Sequence, residues 1–140
     1  MQSFQKENVK VHLDTQQALL RLEMSGVVIT PLFKELYLKA ADIAYDYGAM
    51  RWLVVQTEVR SLHPECEQWI LKEYFPMVMQ KFKKMGRFCC ANVLSKAFFA
   101  EMSAKRTSEQ LLNDRNLNTQ YVEIRNFFDE SSALQWILQA

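Results

Sequence analysis

The stretch "QTEVRSLHPEC", residues 56–66, holds the densest group of side chains able to do chemistry: Thr57, Glu58, Arg60, Ser61, His63 and Cys66. His63 and Cys66 stand three apart, so on one helix they share a side, with the thiol in the first turn. A helix N-terminus and a nearby imidazolium both lower a thiol pKa. Glu65 and Glu67 flank the sulfur and oppose that. No oxyanion donor and no third group to orient the histidine can be named, so a nucleophilic site is incomplete. The same pair gives two metal ligands where a closed zinc site needs four, and no second His/Cys pair has ligand spacing. We therefore expect no metal, no cofactor and no enzyme activity.

Two other readings of this stretch stay open. A phosphoryl group on Ser61 would lie near a helix N-terminus, whose dipole and free N–H groups stabilise it. Alternatively Ser61 and His63 only cap the next helix, while Glu58 and Arg60 pair at the surface. Open α/β sheets bind ligands beyond the carboxyl ends of their strands. That rule makes Thr57, Glu58, Arg60 and Ser61 the first candidate site for a ligand or partner, followed by Ser95 and Lys96 after the next strand. Asn126 and Asp129 follow the last one. The sixteen carboxylates are scattered along polar faces, and three glycines leave no room for a phosphate-cradling loop.

The elements that must position these residues are legible from periodicity. "NVKVHLD" alternates Val9, Val11 and Leu13 with Lys10 and His12, and "ALLRLEMSG" follows after three residues; together they predict an antiparallel hairpin. "ITPLFKELYLKAADIAYDYG" switches to helical period, with Thr30 as N-cap, Pro31 in the first turn and Gly48 as the stop. "MRWLVVQTEV" and "RFCCANVL" are continuous apolar runs, the pattern of strands covered on both faces. Cys89 and Cys90, neighbours in such a strand, point to opposite faces.

A second helix is predicted from Pro64 toward Gly86, with a kink or break near Tyr74 imposed by Pro76. Ser95 caps a third, from Lys96 to Arg106, resuming after "TS" through Leu112. "YVEIRNFF" is the last strand, and Asp129 caps a final helix bearing Ala133, Trp136 and Ile137. The order is ββαβαβαβα. It predicts a mixed, mainly parallel sheet of four to five strands in one α/β domain spanning 1–140, with an N-terminal antiparallel hairpin.

Composition bounds the partners. The chain has 140 residues, 49% of them hydrophobic, and a formal net charge of +1. Such a balance is globular and offers no basic face for nucleic acid. The cluster "KFKKMGR", Lys81 to Arg87, is read first as cations at a helix C-terminus and second as a polyanion contact. No apolar run reaches the length of a membrane span, and "MQSFQKENVKVHLD" lacks the core of a secretion signal. Three cysteines, odd in number and without a CxxC pair, fit reduced buried thiols. A cytoplasmic protein is expected.

Several stretches taken together resemble the STAS/SpoIIAA-like proteins of bacteria, in particular their small, uncharacterised single-domain group. They are a glycine ending the second strand ("LEMSG"), an Ala- and Tyr-rich helix, the tryptophan strand "RWLVVQTEVRSL", the helix opening "HPECEQWILKEYFP" and the ending "FFDESSALQWIL". The likeness spans nearly the whole chain. It implies a mixed sheet backed by helices and a role in binding or regulation. Anti-anti-sigma members carry a phosphorylatable serine in an Asp-Ser turn. The corresponding "QTEVRSLHP" has Thr57 and Ser61 but no Asp-Ser pair and no following glycine, so that switch is not carried over.

Aromatic content is the remaining signal. "AFFAEM" and "EYFPMVMQKF" offer more apolar surface than one sheet face covers, which leaves a dimer interface or a lipid-like pocket. The preferred expectation is a non-enzymatic regulatory domain acting through a protein partner or as a homodimer. The alternative is a binder of an apolar small molecule.

Overall fold

The structure is a computed structural model that describes residues 2–105 and 122–140, the side chains of 101–105 excepted. Six strands form one sheet in the order β1-β2-β3-β4-β5-β6: Ser3–Lys6, Val9–Asp14, Leu19–Val28, Arg51–Leu62, Phe88–Leu94 and Val122–Phe127. β1 and β3 flank β2 antiparallel, and β3 through β6 run parallel to one another. The three apolar segments beginning near Trp52, Phe88 and Val122 thus lie side by side in one direction, as their crossover helices require.

One strand exceeds the four to five expected. β1, "SFQK", is short and largely exposed, so it carries no alternation to read. It exists because its backbone pairs with β2 from Ser3 opposite His12 to Lys6 opposite Val9. The β2–β3 turn has a local cause: the Asp14 carboxylate accepts N–H bonds from Gln16 and Gln17 at 3.0 and 3.2 Å.

Helix α1 (Thr30–Tyr47) buries Phe33, Leu36, Ala40, Ile43 and Ala44. Its N-cap is Ile29, which makes no side-chain cap bond, so Thr30 is the first helical residue and not the cap expected. Gly48 stops the helix at φ 67°, where only glycine is unstrained, and the next N–H, of Ala49, returns to the Ala44 carbonyl at 2.9 Å.

Helix α2 (Pro64–Trp69) is capped by His63, whose Nδ1 accepts the Glu65 N–H at 3.0 Å. Ser61 lies inside β4 and takes no part. The break near Tyr74 takes the form of a π-helical turn, Ile70–Tyr74, leading into α3 (Phe75–Phe82). The Phe75 N–H reaches back five residues to the Ile70 carbonyl. Widening the turn makes room for the Pro76 ring without a sharp bend.

Helix α4 (Lys96–Lys105) starts at Ser95, whose Oγ accepts the Phe98 N–H at 2.9 Å. Its expected continuation through Leu112 lies outside the described residues. Helix α5 (Glu130–Gln139) is capped by Asp129, whose carboxylate accepts the Ser132 N–H at 2.7 Å; that bond holds the Asp129 carboxyl below its ordinary range.

The sheet separates two cores. Trp52, Val54, Phe88, Cys90, Leu94 and Ile124 face α1, α2 and α3, while Leu53, Cys89, Ala91 and Val93 face Ala133 and Ile137 of α5. Cys89 and Cys90 take opposite faces, as strand alternation dictates. Arg51 fastens α5 by donating to the Leu138 carbonyl at 3.1 Å, and the Arg125 guanidinium lies 5.1 Å from the Trp136 ring.

Candidate functional site

The polar stretch after Val55 stays in the strand, past Val59, where the apolar run ends, and into residues expected to turn toward the next helix. β4 continues to Leu62, although β5 accompanies it only as far as Gln56 opposite Leu94. Beyond that point β3 alone pairs with it, from Ser25 opposite Glu58 to Val28 opposite Leu62, across two register shifts. Each shift inserts an extra β4 residue, a bulge, and so coils the arm away from the sheet plane. β3 can go that far because the Asn8 side chain donates to the Ser25 and Val27 carbonyls, the latter at 2.9 Å. Gly26 takes φ 67° between them.

Glu58, Arg60 and Ser61 are exposed and Thr57 half-buried. Glu58 and Arg60 form no ion pair among the described residues. Ser61 borders a shallow groove with Val27, Ile29, Thr30 and His63 at the tips of the arm and of α1 and α2. Ser95 and Lys96 stand at the other strand end, where α4 begins.

Cys66 is fully buried in the larger core, its Sγ donating to Thr30 Oγ1 at 3.7 Å. Burial pushes the thiol above its ordinary pKa. The Thr30 hydrogen bond opposes this, Glu65 and Glu67 add to it, and Lys34 subtracts. His63 is exposed and its Nδ1 is engaged by the Glu65 N–H. The two residues, three apart in sequence, thus serve separate structural purposes: a helix cap and a core thiol.

Three amides line the helix-covered face near the carboxyl ends of β4, β5 and β6. Asn92 Nδ2 donates to Asn126 Oδ1 at 3.3 Å, and Cys90 Sγ donates to Asn92 Oδ1 at 3.8 Å. Gln56 Nε2 and Asn126 Nδ2 are buried without a partner among the described residues. Asn126 follows from the strand-end rule. Gln56 and Asn92 escaped notice because each interrupts an otherwise apolar strand only once; an inward-facing amide was the available signal.

A second region lies at the opposite, amino ends of the parallel strands. There α3 stands off the sheet and leaves a pocket of about 340 Å³, walled by Met50, Phe75, Val78, Phe82, Phe88 and Val122. Met79, Gln80 and Lys83 form its rim, with Gly86 at φ 114° closing the turn after α3. A small void of about 20 Å³ adjoins it among Tyr37, Trp52, Tyr74 and Asn92, sharing Phe75 and Phe88 as walls. Tyr74 is fixed above that void by donating its hydroxyl to the Tyr37 carbonyl at 2.6 Å.

The pocket has an aromatic frame. Trp52 meets Phe88 edge-on at 5.1 Å and Phe82 at 6.5 Å, while Phe82 and Phe88 stack at 6.3 Å. "EYFPMVMQKF" supplies most of the wall, and its surplus apolar surface was the sequence signal for it. Lys83 is the cation on the rim among the described residues, and further cations stand near it in sequence. Lys81 pairs with Asp42 at 3.8 Å and lies 4.7 Å from the Tyr45 ring. Arg87 pairs with Glu123 at 2.6 Å.

This sheet order, with helices on both faces, defines a SpoIIAA-like mixed α/β fold. The chain is similar over 96% of its length, at a TM-score of 0.52 and 14% identity, to an uncharacterised protein of the DUF3478 family from Shewanella loihica PV-4. That structure has a SpoIIAA-like fold, and 97% of its chain is covered. The resemblance read from the sequence is thereby borne out at the level of fold. No protein-family profile and no curated protein matches the chain. Among the described residues no helix is long and apolar enough to cross a membrane.

Proposed function

We infer that this chain is a non-enzymatic binding domain that holds a small apolar molecule between α3 and the amino ends of β4, β5 and β6. The observation carrying this reading is the pocket itself. Its volume of about 340 Å³ falls within the usual span for small-molecule sites, and its walls are aromatic and aliphatic. Mass spectrometry of the chain purified under native conditions tests this, since a retained ligand adds mass that denaturation removes. A chain that carries no added mass and takes up no hydrophobic dye overturns the reading.

A second reading has its own observation. Val27 and Ile29 are 62% and 54% exposed at the tip of the arm, beside β4 residues that lack a β5 neighbour. Exposed apolar side chains next to an open strand edge favour a protein partner or self-association there. Sedimentation velocity across a range of concentrations distinguishes a monomer from a homodimer.

The absence of catalysis is part of the proposal. It is supported by a buried Cys66 thiol pushed toward its neutral form and by a His63 engaged as a cap. Iodoacetamide at neutral pH should label Cys66 more slowly than a free thiol peptide. Equal or faster labelling would reopen the nucleophile reading.

A further inference from the structure

We propose that the pocket's occupant is a straight-chain monocarboxylate, lying with its chain beneath α3 and its headgroup against Lys83 and Lys84. This rests on the pocket reading above and adds the class of ligand. The wall supplies the first half of the argument: among the described residues that line the pocket, Gln80 and Lys83 alone carry polar side-chain groups, and both stand at the rim. A ligand that fits is apolar along its body and polar at one end.

Charge at that end supplies the second half. Lys83 borders both the pocket and an adjoining surface groove lined by Tyr45, Lys81 and Lys84. Lys81 is held by Asp42 and Tyr45, and Arg87 by Glu123. Lys83 and Lys84 are exposed and have no carboxylate partner among the described residues. The negative end of the α3 dipole, roughly half a charge, offsets only part of this excess. The chain as a whole has a formal net charge of only +1, so the concentration of cations here is local. The two available groups are point-charge ammoniums with no guanidinium fork among them, so they supply charge without bidentate geometry, and the simplest singly charged headgroup, a carboxylate, is the one proposed.

The test uses the full chain stripped of hydrophobic ligands and titrated calorimetrically with decanoate, dodecanoate and dodecanol below their aggregation concentrations. Each added methylene buried should tighten binding about fourfold, so dodecanoate should exceed decanoate by about fifteenfold. Dodecanol should bind roughly three- to tenfold more weakly than dodecanoate. In a Lys83→Gln/Lys84→Gln variant the acid should fall to the level of the alcohol, with the alcohol unchanged. Met79→Trp, which places a larger ring on an exposed rim residue, should abolish binding of all three. These side chains are exposed, so circular dichroism should report an unaltered fold. Equal affinity for acid and alcohol in the native chain overturns the carboxylate assignment and leaves the pocket reading standing. Failure of all three probes to bind overturns both.

Discussion

The arm of β3 and β4 and the pocket beneath α3 sit at opposite ends of the same parallel strands, and they differ in what holds them. The arm is made by backbone pairing between two strands, and its side chains Glu58, Arg60 and Ser61 face solvent. The pocket is made by side chains, with Phe82 and Phe88 stacked on each other and backed edge-on by Trp52, and Phe75 and Val78 beside them. Polar character drew attention to the arm, because strand carboxyl ends are where open α/β sheets keep their ligands. The apolar pocket is at the other end. Reactive-looking side chains therefore mark where the chain turns polar, while the room for a ligand lies beside the contact of α3 with the amino ends of the strands.

That contrast breaks most readily at Phe82. It is 2% exposed and touches both Trp52 and Phe88, so Phe82→Ala should cost about 3–5 kcal/mol in urea unfolding. A loss under about 1 kcal/mol would mean that the pocket wall contributes no packing and that the comparison is misdrawn.

Alkaline pH should act on the helices above the sheet before it touches the arm. Burial raises the pKa of Tyr74 well above the ordinary value, and burial likewise raises that of Cys66. A group raised in the folded state stabilises the fold below its unfolded pKa, and that stability is lost as pH rises through the folded one. Unfolding followed by tryptophan fluorescence should therefore show stability falling above the ordinary thiol range, about pH 8.5, and falling further above pH 10. A flat profile to pH 11 would contradict the burial of both groups.

The smallest effect is expected at the arm. Val27→Ser/Ile29→Ser removes two exposed side chains and should change stability by no more than about 0.5 kcal/mol. It should nevertheless abolish any concentration-dependent association seen by sedimentation. A double variant that unfolds the chain would show the arm to be integral to the core instead.

Local chemistry made much of the fold legible. The period of "LFKELYLKAADIAY", the stop at Gly48, the caps at His63, Ser95 and Asp129, and the opposite faces of Cys89 and Cys90 all depend on neighbours a few residues away. Pro76 announced a disturbance near Tyr74, although its π-helical form depends on how the two flanking turns pack. Thr30 misled because a good capping residue was displaced by one position when Ile29 took the extended conformation. β1 and the last residues of β4, after Val59, left little trace in the apolar pattern for a shared reason. Their side chains are mostly exposed, so no hydrophobic period records them, and only a partner strand's backbone makes them strands.

The candidate site divides along the same line. Glu58, Arg60 and Ser61 could be picked out by residue type, and the structure separates them from the pocket by the length of the sheet. Asn92 and Asn126 meet only because β5 and β6 set them at the same register, with Gln56 on the same sheet face one strand over.

The sequence by itself determined the alternation of strands and helices, the direction of the central strands and the burial of all three cysteines. Each follows from periodicity, connection length and local hydrogen bonding. Tertiary structure alone decided how far β4 runs, which amides meet, and that a pocket remains between α3 and the amino ends of the strands. Those depend on register and on volumes filled from distant parts of the chain, which no local pattern encodes.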